Sequence, residues 1–194
     1  TPFSLATAIF MTEISPELGK RFVQPAVEIF VGIPSVVYGW IGLTILVPLI
    51  KNIFNLRFGF SVLAAGIVLA VMIFPTITSL AADALRSIPK SYRAASYGLG
   101  ATRWQTIAKV VVPAAVTGLM TAVILGLARA FGEALAVAMV IGKMRAFPTS
   151  LLSPTNNLTA AIAADMGGAM EGSEYNIALW TMALMLFIIS LACI

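Results

Sequence analysis

The 194-residue sequence has no histidine and one cysteine, Cys193. Without histidine there is no Ser/His/Asp or Cys/His triad and no H-E-x-x-H zinc motif. With one cysteine there is no disulfide within the chain and no Cys/His metal site. The phosphate-cradling pattern G-x-x-x-x-G-K-[ST] is missing too. Gly142-Lys143 is followed by Met144, and Val137 stands where the first glycine belongs. Nucleotide hydrolysis, if the protein depends on it, belongs to another chain. Charge is scarce: 10% of residues, against about 25% in soluble domains. The chain is therefore expected to have no catalytic residue, no metal and no cofactor.

Apolar sequence is abundant. Hydrophobic residues make up 60% of the chain, and mean hydropathy is +0.99. The apolar runs are long and unbroken rather than alternating, which points to membrane helices and not to a barrel. A span takes about 20 residues, so the length suits about five spans with loops. The expectation is an all-α polytopic transmembrane bundle, one domain over 1–194 with no linker to a soluble one. Thr1 and Ile194 both lie inside apolar runs, so the sequence reads as a fragment cut from a longer chain at both ends. The net charge of +4 is read as an orientation signal, with no nucleic-acid partner.

In chain order, residues 1–11 read as the tail of a helix. A polar loop follows over 12–24, with Pro16 and Gly19 as turn signals. A second span over 25–50 carries Gly32, Pro34, Gly39, Gly42 and Pro48, a density that suggests a kinked helix with close neighbours. A basic turn covers 51–59, and a third span with a kink at Pro75 covers 61–80. The fourth apolar run is 110–142 and the fifth 175–194. Between them lies a mixed segment with a short helix over 159–166. Glu28 reads as an interfacial or helix-start acid, and Asp165, Glu171 and Glu174 as solvated loop acids.

The longest break in apolarity is SYRAASYGLGATRWQTIAKVVVP, residues 91–113. It reads as helix, glycine corner at Gly98-Leu99-Gly100, helix. Trp104, Ile107, Ala108 and Val111 fall on one face of the second helix. Thr102, Gln105, Thr106 and Lys109 fall on the other. Pro113 is placed at the first turn of the next apolar run. The spacing resembles the cytoplasmic EAA loop of bacterial ABC importer permeases: EAA, three residues, Gly, nine residues, Ile, one residue, Leu-Pro. Aligned on Gly100, this chain has Ala94-Ala95-Ser96, then Val110 and Val112-Pro113. Ala94 replaces the family glutamate. The resemblance implies a loop over about 84–109 that docks on an ATP-hydrolysing subunit, through Arg93, Ala94, Ala95, Gly98, Gly100, Arg103 and Pro113. If that loop is cytoplasmic, seven loop cations share its side and four lie opposite, which agrees with the positive-inside rule.

The fourth run contains GLARAFGEALAVAMVIG, residues 126–142. Arg129 and Glu133 are four residues apart, which puts them on one face of a continuous helix together with Ala122, Gly126 and Ala136. A charge at mid-bilayer costs about 2.5–3.5 kcal/mol on insertion scales, so it should face a bundle interior or a wet cavity. Arginine suits an oxyanion, because its planar fork donates paired hydrogen bonds and its charge does not titrate away.

This block resembles the permeases of bacterial phosphate importers, the PstC type more than its PstA partner. AIFMTEISP from Ala8, GIPSVVYG from Gly32 and the stretch from Leu63 to Pro89 agree with it. The resemblance implies a MetI-like permease fold in the inner (cytoplasmic) membrane, and it makes Arg129 and Glu133 the substrate-pathway charges. It also implies the partners: a PstA-like second permease, a dimer of cytoplasmic ATP-binding subunits, an extracytoplasmic phosphate-binding protein, and membrane lipid. Two alternatives stand beside phosphate import. One is a permease for molybdate or sulfate; the other is an ATP-independent anion channel or secondary transporter.

Overall fold

The computed structural model describes residues 1–193, and the last residue of the predicted fifth run, Ile194, lies outside them. Among the described residues the chain is helical, with one isolated β-bridge, Gly142 to Thr155. In chain order the helices are α1 (Pro2–Ile14), α2 (16–32), α3 (Ser35–Ile53), α4 (Val62–Arg86) and α5 (Lys90–Gly98). Then come α6 (Arg103–Ala114), α7 (Val116–Gly132), α8 (Leu135–Val140), α9 (Leu158–Asp165) and α10 (Glu174–Cys193). Three of them, α3, α4 and α10, are long and apolar enough to cross a membrane. The pair α6 and α7, bent by 67°, makes a fourth if counted as one span. The other predicted run, over 1–11, is the shorter apolar helix α1.

The chain forms two compact units. The first comprises Thr1–Gly32 and Ile73–Leu127; the second comprises Ile33–Met72 and the chain from Ala128 onward. The core of the first is built from small residues: Ala8, Ala81, Ala82, Ala115 and Ala122, with Met11, Leu85, Val111 and Leu119 filling between them. Gly118 lies so close to α4 that a Cβ there would sit 2.7 Å from the Cβ of Ala84. Small side chains allow this approach, and backbone proximity supplies the dispersion contacts that hold apolar helices together. The predicted polar loop at 12–24 is instead a helical corner. α1 ends in a wide π-turn over Phe10–Ile14, the chain turns at Ser15, and Pro16 starts α2 at a position where its missing N–H costs nothing. Near the end of α4, Arg86 donates to Gln24 (2.9 Å), and Gln24 donates to Glu28 (2.8 Å). Glu28 is thus tied into a polar chain at the edge of this unit.

The second unit packs α3, the first half of α4 and α8 around Tyr38, Val47, Ile50, Ala65, Val68, Met72, Val137 and Val140. The predicted second span is broken at Pro34, whose extended backbone (ψ 141°) ends α2 and starts α3. Pro75, by contrast, lies inside the unbroken helix α4. The loop after α8 folds back over the start of α4. There the N–H groups of Val62 and Leu63 donate to the carbonyls of Ser153 and Leu151, and Ser61 Oγ accepts from Ala64. Those groups have no partner within their own helix, so the loop supplies it. Gly142 permits the fold-back: its φ is +98°, and a side chain there would run into Pro154 and Phe60. The helix predicted at 159–166 is present as α9, capped by Asn157, whose Oδ1 accepts from Ala160 N at 2.8 Å. Beyond it, Arg145 donates to Asp165 (3.1 Å) and to the Tyr175 hydroxyl (2.9 Å). The Tyr175 hydroxyl itself donates to Asp165. That bond, followed by those of Arg145, holds the Asp165 carboxyl below its ordinary pKa.

Candidate functional site

The predicted Arg129–Glu133 face does not exist as a continuous helix face. α7 stops at Gly132, residues 133–134 are not helical, and α8 restarts at Leu135. Arg129 therefore occupies the last turn of α7, where a cation complements the negative end of the helix. Glu133 begins the next element. Its Oε1 accepts from Ala136 N at 3.0 Å, so its carboxylate meets the positive end of α8. The two charges serve two helix ends instead of one helical ladder.

Tertiary contacts hold the break open. The Thr159 hydroxyl, from the first turn of α9, donates to the Glu133 carbonyl at 2.9 Å, and Thr159 is itself buried. That carbonyl would otherwise lack a partner, since unwinding removes the donor four residues ahead. On the other side, α3 and α8 touch backbone to backbone at Gly39. A Cβ there would lie 2.8 Å from both Ala136 Cα and Met139 Sδ. Three residues further along α3, a Cβ on Gly42 would lie 2.7 Å from Val68 and 2.9 Å from Val140. This packing leaves Tyr38 only 7% exposed, in the core it shares with Ala136, Val137 and Val140 of α8.

The site thus gathers Arg129, Glu133, Tyr38 and Thr159. Arg129 and Glu133 follow from the rule that charges in apolar helices are functional by default. Tyr38 and Thr159 carry no such signal, although Tyr38 lies inside the GIPSVVYG stretch. Of the predicted small-residue face, Ala122, Gly126 and Ala136 are all buried, Ala136 on the separate helix α8. Unwound backbone among apolar helices is tolerated where it is buried in protein or lines a wet cavity. A half-helix break beside an arginine therefore suits an anion path. Among the described residues no cluster of three or more metal-ligating side chains exists.

The segment from Lys90 to Ala114 has the predicted helix–glycine–helix form. Gly100 has φ +80°, the left-handed conformation that ends α5. Thr102 then starts α6 with a reciprocal capping box: it accepts from Gln105 N, and Gln105 Oε1 accepts from Thr102 N. Ser96, in place of the second alanine of EAA, is buried, and its hydroxyl lies 2.9 Å from that of Thr106, which locks the two arms. This lock corrects the predicted face. Thr106, Ile107 and Val111 turn inward, while Trp104 is 68% exposed and Ala108 is exposed as well. Ala94, Ala95, Gly98, Gly100 and Arg103 are exposed, as is Leu99 (90%). An open groove of about 510 Å³, lined in part by Tyr92, Ala95, Leu99 and Val110, crosses this surface. Pro113 is not the start of the next run. It lies in the last turn of α6, just before the 67° bend into α7.

A family model described as "Binding-protein-dependent transport system inner membrane component" matches residues 4–194. The probable ABC transporter permease protein YqgH of Bacillus subtilis is 58% identical over 189 residues, covering 97% of this chain and 61% of that protein. The phosphate transport system permease protein PstC of Haemophilus influenzae is 38% identical, covering 97% of this chain and 65% of that protein. The chain thus spans somewhat less than two thirds of the length of these relatives. A chain of the MetNI methionine ABC transporter, solved in inward-facing conformations, superposes with a TM-score of 0.65 at 22% identity, over 98% of this chain and 86% of that one. That likeness shows the fold, which is MetI-like, as the resemblance to the phosphate-importer permeases implied. With its apolar helices and the family match over nearly its whole length, the chain is a multi-pass membrane protein and belongs to the inner membrane components of binding-protein-dependent transport systems.

Proposed function

We propose that this chain forms the membrane path of an ATP-driven importer of inorganic phosphate. The observation that carries the reading is Arg129 at the end of a broken helix, in a chain similar to PstC. A guanidinium offers two parallel donors to two phosphate oxygens and stays charged at every physiological pH. Glu133 occupies the amino end of α8, so the anion finds one cation and a nearby carboxylate. Such a site binds weakly enough to release. The chain performs no covalent chemistry. A second, similar permease completes the path, a cytoplasmic ATPase dimer engages the exposed surface of α5 and α6, and an extracytoplasmic binding protein delivers phosphate. Closure of the ATPase dimer moves the docking helices and switches the path between outward-open and inward-open states.

The test is phosphate uptake into vesicles containing the full-length protein and its partner subunits. Uptake is expected to require ATP and to resist a large excess of sulfate or molybdate. Uptake without ATP would support a channel or secondary transporter. Competition by sulfate or molybdate would overturn the substrate assignment.

A further inference from the structure

The Glu13–Arg93 ion pair is largely buried, with side chains 9% and 20% exposed, more so than Asp83–Arg86 or Arg145–Asp165. The two residues are 80 positions apart in sequence. Arg93 Nε donates to Glu13 Oε2 at 3.1 Å, and Nη2 donates to Oε1 at 2.5 Å, the forked geometry of a strong pair. The same guanidinium donates to two carbonyls, Ile88 at 2.8 Å and Leu85 at 3.0 Å. Leu85 lies in the last turn of α4, whose carbonyls have no partner within the helix. One side chain on α5 therefore fastens three pieces: the end of α1, the end of α4 and the connection between α4 and α5.

Glu13 sits in the closing π-turn of α1, where its own helix dipole disfavours an acid. Its place is explained by Arg93. Hydrogen bonding to Glu13 also raises the arginine above its already high ordinary pKa. While the pair holds, the Arg93 side chain is turned toward the membrane helices. Lysine cannot replace it, since one ammonium cannot fork a carboxylate and reach two carbonyls together.

We propose that the Glu13–Arg93 clamp carries movement of the docking helices to α1, so that the two residues position the coupling element rather than contact the ATPase or the substrate. The proposal rests on the reading of α5 and α6 as the ATPase-docking surface. Buried charge pairs resist separation, because removing one partner strands the other. α5 therefore moves with α1 and the end of α4 as one piece.

The experiment uses the full-length protein with its partner subunits in vesicles. It reads ATPase-subunit retention, ATP hydrolysis and phosphate uptake for Glu13→Ala, for Arg93→Ala and for the double variant. Glu13→Ala is expected to retain the ATPase subunit and to hydrolyse ATP. Phosphate moved per ATP should fall about tenfold, within the range of coupling through packed networks. The double variant should lose no more than Arg93→Ala alone, as two partners in one pair do. An unchanged ratio in Glu13→Ala overturns the proposal. So does loss of the ATPase subunit from Glu13→Ala, since the pair would then serve docking or folding. A double variant whose loss is the product of the two single losses overturns the pairing. A wild-type protein that fails to retain the ATPase subunit refutes the docking reading itself, a result distinct from all of these.

Discussion

Replacing Arg129 with alanine is expected to abolish phosphate uptake while leaving membrane insertion intact. Two charge-assisted hydrogen bonds to an anion contribute about 3 kcal/mol or more together, so their loss lowers uptake by roughly a hundredfold. Arg129→Lys keeps the charge and loses the fork, and is expected to fall between the two. The structure allows a competing account, in which Arg129 only complements the carboxyl end of α7. That role contributes about 0.3–1 kcal/mol, and lysine fills it as well as arginine does. Uptake and thermal stability measured on both variants separate the accounts. If lysine restores full uptake, the arginine is structural.

The second large effect is expected at Gly39. Gly39→Val puts a branched side chain where even a Cβ would stand 2.8 Å from the Ala136 backbone. That neighbour is not the yielding end of a long side chain, so α3 and α8 must part. Overpacking of this kind costs about 1–3 kcal/mol. The larger consequence is geometric. Tyr38 and the residues that follow the break move apart, and a misplacement of about 1 Å in such a site can cost up to roughly a hundredfold in rate. Phosphate uptake should therefore fall further than stability does. Gly66→Ala is the control: a Cβ there meets nothing within 4 Å, and alanine suits the interior of α4. Equal behaviour of the two variants, in uptake and in melting temperature, would mean that the α3–α8 contact does not govern the site.

Much of this was legible in the sequence because it is local. The glycine corner at 98–100 requires a left-handed residue, and Gly100 supplies it. The short helix read at 159–166 is present as α9, and its Asn157 cap is local in sequence. Pro34 marked a disturbance in the second apolar run, read as a kink, where the structure has a full break. The break at 133–134 was not legible. The apolar pattern runs through it without a proline, and the contacts that stabilise it come from Thr159 and Gly39, far away in sequence. Gly132 disfavours helix at this point, but a single glycine is tolerated inside a helix, and tertiary contacts set the break. The outward turn of Trp104 failed for the same reason. A hydroxyl pair, Ser96 with Thr106, decides which face of α6 turns inward, and apolar spacing cannot show that. The partnership of Glu13 with Arg93 spans 80 residues, and no periodicity carries information over that distance.

The central claim is that the break between α7 and α8 lines a wet path that phosphate occupies. Ala134, in the unwound segment, is partly exposed and is a position where a small probe fits. The direct measurement is the labelling rate of Ala134→Cys, with Cys193→Ser, by a charged water-soluble thiol reagent in the full-length complex. The account predicts labelling that phosphate slows and sulfate does not. No labelling in any nucleotide state, or labelling indifferent to phosphate, would contradict it.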